Sequence, residues 1–304
     1  MTAIVLGGAV RAEAQACCAG GSALTPARLE LHEDYAVGLE THVTSITGSF
    51  EPGGGYAGNL PGQNETDFEE DLLAAVRLFQ RGQLSLLVPG IVTQRALTSQ
   101  SGVGGGLGDI NLGARWDFIE AAESRYWPGI AVLLGVTLPT GRTPEQATVS
   151  DPTASGLGAL ATNATGIGAF QLTGGIGFEK NFGDHVVTDL TALVSQRLPT
   201  DIEGVQETLG TQLFGIAGAG WAFEGGQGLA VSATFTGELD ASVNGQRVPQ
   251  SGKSETTLAL SGLWPFGDDW RIQGSLFDEL QVSGLGANQP IGFGLTFTLL
   301  RTWS

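Results

Sequence analysis

Residues Asp109 to Phe118 read DINLGARWDF, and this stretch decides how the fold is interpreted. One set of alternate residues is mostly apolar: Ile110, Leu112, Ala114, Trp116 and Phe118. The residues between them are polar, charged or glycine: Asp109, Asn111, Gly113, Arg115 and Asp117. Because successive residues of a β-strand point to opposite faces, the stretch predicts a strand with one apolar and one polar surface.

The same alternation recurs along the chain from Tyr35 to Leu299, in about twelve segments. Each has about ten residues, the length at which a tilted strand crosses a membrane. An even number of strands is typical of bacterial outer-membrane barrels. The sequence therefore predicts an all-β fold, a transmembrane antiparallel up-and-down β-barrel of about 12 strands.

The connections between these segments alternate in length. The short ones are Arg81-Gly82, Glu120 to Arg125, Asn181 to Asp184, Glu224 to Gly228 and Pro265 to Asp269. The long ones are Gly48 to Asp67, Thr98 to Gly108, Gly141 to Asn163, Leu198 to Glu207, Ala241 to Lys253 and Ser283 to Gln289. Short periplasmic turns and longer extracellular loops are the layout of outer-membrane barrels, so we assign the two ends accordingly.

All six tryptophans lie at the same end of the segments, five beside short connections and one next to the C-terminus: Trp116, Trp127, Trp221, Trp264, Trp270 and Trp303. Tryptophan is enriched where a membrane meets water. This placement predicts an aromatic girdle at the periplasmic interface.

The composition favours strands in lipid over a soluble sheet. The chain has 304 residues, of which only 15% are charged, against about 25% in soluble domains. The longest apolar stretch, Trp127 to Leu138, is too short for a membrane-spanning helix of about 20 residues. A soluble sandwich or barrel is the alternative, but its water-facing side would carry more lysine than Lys180 and Lys253.

The formal net charge of −17 argues against a nucleic-acid partner, which requires a basic surface. Many acids lie in or beside predicted loops: Glu65, Asp67, Glu69, Glu70, Asp71, Glu145, Asp151, Asp201 and Glu203. We interpret them as solvated loop residues, although the alternation of the second strand also places Asp71 on the inward face. The alternative is that divalent cations bridge them to an anionic outer surface.

The N-terminus has the features of a secretory signal. Residues 1–16 contain a short apolar run and end in Ala14-Gln15-Ala16, a small-residue cleavage pattern, and we interpret them as a signal-peptide remnant. Residues 17–33 are predicted to be a periplasmic segment that could partly fill the lumen, and 34–304 the barrel. Cleavage after Ala16 would expose Cys17, so lipidation is an alternative role for Cys17 and Cys18.

The inward face predicted from the alternation carries charges of both signs. The candidates are Arg77, Asp109, Arg115, Asp117, Glu179, Asp189, Arg197, Glu238, Arg271 and Glu279. Buried charges need partners, so one interpretation is a salt-bridged network that stiffens the wall. The other is a set of charges that selects solutes. The three histidines and two adjacent cysteines show no catalytic or zinc-binding spacing, so we predict no catalytic residue, metal or cofactor.

One region resembles a known family. Gly106-Leu-Gly-Asp-Ile-Asn-Leu-Gly-Ala-Arg-Trp116, followed by Gly135-Val-Thr-Leu-Pro-Thr-Gly-Arg142, resembles outer-membrane proteins named for a meta-cleavage phenol-degradation pathway. The shared features are GxGD at the start of one strand and PTG at the end of the next. The resemblance implies an outer-membrane transporter or channel, in some members linked to aromatic or other hydrophobic compounds.

These observations together predict a channel or transporter in the bacterial outer membrane that passes small, hydrophobic or aromatic solutes through a narrow charged lumen. Its expected partners are outer-membrane lipid, lipopolysaccharide, the solute and the barrel-assembly machinery. That machinery would read the C-terminal strand, where Phe293, Leu295, Phe297, Leu299 and Trp303 alternate. A closed structural or surface-display barrel is the alternative, and an outer-membrane lipase or protease is the weakest.

Overall fold

The computed structural model describes residues 27–30, 32–97, 100–121, 123–124, 126–144, 146–147, 161–183, 185–202, 205–267 and 269–304. Within these residues, twelve strands form one antiparallel sheet that closes on itself. They are β1 (Tyr35–Phe50), β2 (Asn64–Leu78), β3 (Gly82–Leu97), β4 (Ile110–Ile119), β5 (Gly129–Leu138), β6 (Gln171–Phe182), β7 (Val186–Arg197), β8 (Gln212–Ala222), β9 (Gly228–Glu238), β10 (Lys253–Phe266), β11 (Trp270–Glu279) and β12 (Pro290–Trp303). No helix in the described part of the chain is both long and apolar enough to cross a membrane.

The cylinder closes between the first and last strands. β1 pairs with β2 on one side and with β12 on the other, in a register that runs from Tyr35 opposite Trp303 to Ser49 opposite Pro290. Closure pairs the backbone groups that would otherwise form an open sheet edge, and this is the condition for strands to lie in lipid. The prediction of an antiparallel β-barrel of about twelve strands is confirmed.

The two faces of the wall differ in chemistry, as the alternation predicts. On β1, Val37 and Leu39 are 46% and 48% exposed on the outer face. Ala36 and Glu40, which flank them and point inward, are 1% and 8% exposed. The outer face is thus apolar and the inner face carries the polar side chains. This distribution is the reverse of that in a water-soluble barrel and matches a wall that has lipid outside.

The short and long connections lie at opposite ends of the barrel, which we call the short-turn end and the long-loop end. The long-loop end contains strands that the sequence did not predict. Thr200–Ile202, Val205–Thr208, Ser242–Val243 and Gln246–Arg247 form a second, four-stranded sheet there, and Tyr56–Gly58 pairs with the outer end of β1.

One predicted loop is in fact a strand. Gln100–Leu107 pairs with the outer half of β3, which extends beyond β4. A Cβ added at Gly105 would lie 2.2 Å from the carbonyl oxygen of Ile91, so this close pairing requires glycine. The same glycines carry no side chains and therefore show no alternation, which is why the sequence concealed this strand.

A second correction concerns the acids of β2. The strand begins at Asn64, so Glu65, Asp67, Glu69, Glu70 and Asp71 lie in the barrel wall and not in a solvated loop. Asp71 is only 2% exposed on the inner face. Of the other acids predicted in loops, Glu145, Asp151 and Glu203 lie outside the described residues.

The N-terminal segment enters the barrel. Its described residues, 27–30 and 32–33, form what we call the inserted segment, which lies in the lumen at the short-turn end. Ala27 is fully buried and Leu29 is 5% exposed, packed against Ala36, Leu73 and other inward residues. The structure thus places these residues inside the mouth of the barrel. The predicted signal remnant, 1–16, and the two cysteines lie outside the described residues.

Candidate functional site in the barrel lumen

The barrel wall holds the inserted segment by its backbone. Gln83 of β3 accepts a hydrogen bond from the amide of Leu29 at 3.0 Å and donates one to the carbonyl of Ala27 at 2.7 Å. Arg77 of β2 donates from Nε to the carbonyl oxygen of Glu33 at 2.7 Å and from Nη2 to that of Glu30. These inward side chains satisfy backbone groups that are removed from water, so the extended segment can be buried without a sheet partner.

Ion pairs fix the side chains of the inserted segment. Arg271 of β11 lies 2.9 Å from a carboxylate oxygen of Glu30 and 2.8 Å from one of Glu33. Arg28 pairs with Glu179 of β6 across the lumen. Burial raises the pKa of Glu30 above its ordinary value, while the guanidinium of Arg271 acts in the opposite direction.

Apolar contacts also hold the inserted segment against the wall. Ala27 and Leu29 pack with inward-facing residues of β1, β2 and β12; these are Ala36, Leu73, Ala75 and Leu300, with Leu87 of β3 beside them. Burying a leucine side chain contributes roughly 1.5–3 kcal/mol. Polar and apolar contacts therefore act together to place the inserted segment across the lumen.

Near the short-turn end, the lumen carries two further charged groups at the level of the inserted segment. Arg115 forms a two-pronged hydrogen bond with Asp117 on the same strand, with nitrogen–oxygen distances of 2.7 to 3.2 Å. Asp189 of β7 lies opposite Glu179 in the sheet, and both of its carboxylate oxygens are buried without a hydrogen-bond partner. Both groups remain candidates for contact with a solute.

Towards the long-loop end, the lumen contains a cavity of about 190 Å³. Arg197 of β7 and Glu238 of β9 pair across 2.7 Å in its lining, and Arg197 also donates to Gln171 at 3.0 Å. Lys253, Glu255 and Gln289 complete a polar, charged lining. A cavity of this size accommodates a small organic molecule or several waters.

At this end Asp109 holds loop backbone and Glu279 holds the start of β12. Asp109 accepts the amide of Gly141 at 2.8 Å and that of Ile167 at 2.7 Å, so both its oxygens are occupied. Glu279 accepts the amide of Gly292 at 2.6 Å. The geometry gives these two candidates an anchoring role at the rim. Asp109 lies in the GxGD motif, which is therefore a loop-fixing motif in this chain.

The six tryptophans all lie at the short-turn end, where the sequence placed them. Four are clearly exposed on the outer face: Trp116 at 42%, Trp127 at 68%, Trp221 at 48% and Trp264 at 60%. Arg301 lies over the rings of Trp270 and Trp303, at 5.4 Å and 4.8 Å from their centroids. A row of exposed aromatic rings backed by one guanidinium suits a lipid headgroup region, so the girdle remains our prediction for these residues.

The structure thus divides the ten predicted lumen residues into three groups. Six lie near the short-turn end: Arg77, Glu179 and Arg271 contact the inserted segment, and Arg115, Asp117 and Asp189 lie beside it. Arg197 and Glu238 line the cavity near the long-loop end. Asp109 and Glu279 hold backbone amides at that end. Sequence reasoning missed Arg28, Glu30, Glu33 and Gln83. The sequence signal that could have identified the first three is that the N-terminal segment and the inward face of the wall carry charges of opposite sign.

Solved structures of outer-membrane channels resemble this architecture. No curated protein matches the chain. The crystal structure of the COG4313 outer membrane channel from Pseudomonas putida F1 matches with a TM-score of 0.70 at 16% identity, covering 91% of this chain and 99% of that one. The TodX deltaS2S3 mutant monoaromatic hydrocarbon channel matches at a TM-score of 0.46 and 11% identity, covering 90% and 91%.

The first of these matches shows that the chain has the fold of an outer-membrane barrel. The sequence profile of one family matches residues 49–298, which is most of the chain and includes the GxGD and PTG motifs. The chain therefore belongs to the family described as "Putative MetA-pathway of phenol degradation".

Proposed function

We propose that the protein is an outer-membrane channel for small solutes, and that its lumen is closed at the periplasmic mouth until the inserted segment is displaced. The observation that carries this proposal is the distribution of side chains: a closed wall, apolar outside, has charged groups and a polar cavity of about 190 Å³ inside. Such a wall supports a hydrated path through lipid.

The solute class that we propose is a small molecule with both a polar group and an apolar body, such as a phenol. The inner wall carries charged pairs beside apolar side chains, among them Leu133 and Leu193 of the inner face. Small pockets that combine apolar walls with a few polar groups are typical of sites for such molecules.

The outer face is proposed to contact lipid, with lipopolysaccharide at the long-loop end. The outward residues of β12, Phe293, Leu295 and Phe297, are 52%, 44% and 46% exposed. A C-terminal strand with this exposed apolar face is also the proposed recognition element for the barrel-assembly machinery. A catalytic role is not part of the proposal.

The test is single-channel conductance in planar bilayers together with liposome swelling in phenol and in sugars of graded size. Arg115→Ala removes the positive partner of Asp117, so the open lumen should become more selective for cations. A measurable current, either in the wild type or after displacement of the inserted segment, would support a channel. Its reversal potential should shift in Arg115→Ala. No current and no swelling under either condition would favour the surface-display alternative.

A further inference from the structure

Three side chains with metal-binding chemistry meet on the inner wall beside the seam that closes the barrel. Glu40 and His42 lie on β1 and Asp71 lies on β2, directly opposite Glu40 in the sheet. One ligand atom of each lies within 4.8 Å of the others. The Nε2 of His42 is 2.8 Å from Oε1 of Glu40 and 3.6 Å from Oδ2 of Asp71.

Asp71 has an oxygen that no protein group satisfies. It is 2% exposed, and its Oδ1 has no hydrogen-bond partner. An ionised carboxylate that is buried without a full set of partners is costly, and a nearby cation removes that cost. Glu69, the residue opposite His42, adds a further carboxylate on the same face.

The ligand atoms are held in place from behind. The Nδ1 of His42 lies 3.0 Å from the hydroxyl of Thr296, which leaves Nε2 facing the two carboxylates. The hydroxyl of Thr298 donates to Oε2 of Glu40. Partners that orient metal ligands in this way are a regular feature of metal sites, and here both come from β12.

We propose that Glu40, His42 and Asp71 bind one divalent transition-metal ion, with Zn²⁺ as the best fit. Bonds of about 2.0–2.2 Å to one nitrogen and two oxygens in a tetrahedron place the ligand atoms about 3.3 Å apart. The observed separations bracket that value, so small side-chain rotations suffice. Three protein ligands leave a fourth position for Glu69 or for water on the lumen side.

A second group of similar composition, Glu30, His32 and Glu33, lacks these properties. Both of its carboxylates pair with Arg271, which already supplies the positive charge. The side chain of His32 is 74% exposed and lies 3.9 Å from Glu30. This group therefore provides a matched comparison within the same chain.

The consequence of the site is a cross-link between β1 and β2 next to the closing β1–β12 pair. The site lies next to the inserted segment, on its side towards the long-loop end. Leu73, which packs against that segment, is the next inward residue of β2 after Asp71. Metal binding at this place is independent of the solute that the channel passes.

The experiment is a calorimetric titration of Zn²⁺ into the refolded, tag-free full chain, with Co²⁺ absorption as a second readout. Cys17→Ser/Cys18→Ser serves as the background, since it removes the thiols. We expect one zinc ion per barrel. His42→Gln and Asp71→Asn should each weaken zinc binding at least about tenfold, and Thr296→Val about tenfold through the lost support of His42. His42→Gln and Asp71→Asn should also abolish the visible absorption band of four-coordinate Co²⁺.

His32→Gln and His185→Gln are the controls, and both should retain zinc affinity within about twofold, the spread of an unperturbed site. Heat-modifiable mobility on gels checks folding for every variant. If Asp71→Asn does not fold, His42→Gln decides alone, because the His42 side chain is 33% exposed and its loss leaves no sealed cavity. Binding that survives His42→Gln, binding lost in His32→Gln, or no stoichiometric binding would each overturn the proposal.

Discussion

The guanidinium of Arg271 lies 2.8 Å from Oε2 of Glu33, although 238 positions separate the two residues in the chain. The contact is buried and joins the last part of the barrel to the segment that precedes its first strand. Removing one partner of a buried ion pair leaves the other charge uncompensated, which costs about 3–5 kcal/mol. The docking of the inserted segment should therefore depend on this residue.

Arg271→Ala is expected to displace the inserted segment and raise single-channel conductance relative to the wild type. Amide hydrogen exchange of Leu29 and Glu33 should become faster in the same variant, while β1 stays protected. Arg301→Ala is the matched control, because Arg301 lies over tryptophan rings on the outer face of the short-turn end and touches no residue of the inserted segment in the contacts described. Unchanged exchange in Arg271→Ala would contradict this account.

The docking of the inserted segment should weaken as pH rises. The pKa of Glu30 is raised above 4.5, first by burial and then by the carboxylate of Glu33, against the opposing effect of Arg271. The docked state thus holds this proton more tightly than the released state, so its advantage is complete below 4.5 and is lost as pH rises through the higher docked value. Conductance measured from pH 4 upward should increase, and Glu30→Gln should flatten the profile. A rise of the same size in Glu30→Gln would show that another group is responsible.

A charge on the outer face should destabilise the barrel in lipid far more than a charge on the inner face. Leu276 of β11 is 63% exposed outward, opposite Leu260 and Leu295 on the neighbouring strands. Leu276→Lys is expected to cost about 2–4 kcal/mol in folding free energy if the position lies near the bilayer midplane. Gln273→Lys, an inward position on the same strand, is the control. Denaturant titration in lipid vesicles measures both, and equal losses would count against a lipid-facing outer wall.

Loss of the Asp109 carboxylate should loosen the loop that follows β5. Its two oxygens hold the amides of Gly141 and Ile167, and hydrogen bonds to a charged group contribute about 1.5–3 kcal/mol each. Asp109→Ala should therefore make tryptic cleavage after Arg142 faster while the strands remain resistant. Asp117→Ala, which removes a carboxylate paired with Arg115, should leave the cleavage rate unchanged. Equal acceleration in both variants would disprove the anchoring role.

The strands were predictable because lipid outside and polar groups inside impose a two-residue period on the sequence. DINLGARWDF shows the period clearly, and all twelve barrel strands follow it. The period fails where side chains are missing, as in the Gly-rich Gln100–Leu107. It also gave the inward direction of Arg271 but not its partners, because those come from a segment that has no periodicity of its own.

Alternation placed Asp71 on the inner face but could not identify its neighbours. Only the register with β1 shows that Asp71 lies opposite Glu40 inside the barrel. The proposed metal site depends on this cross-strand register and on Thr296 from the opposite end of the chain. Such a constellation has no local sequence pattern.

The inserted segment also sets an order on the biogenesis of the protein. Its hydrogen bonds and ion pairs are distributed over β2, β3, β6 and β11, through Arg77, Gln83, Glu179 and Arg271. The N-terminus leaves the ribosome first, yet its last anchor is supplied by a strand near the C-terminus. The inserted segment can therefore dock fully only after the cylinder is nearly finished, and in a barrel that stalls during insertion it would remain undocked and recognisable as incomplete.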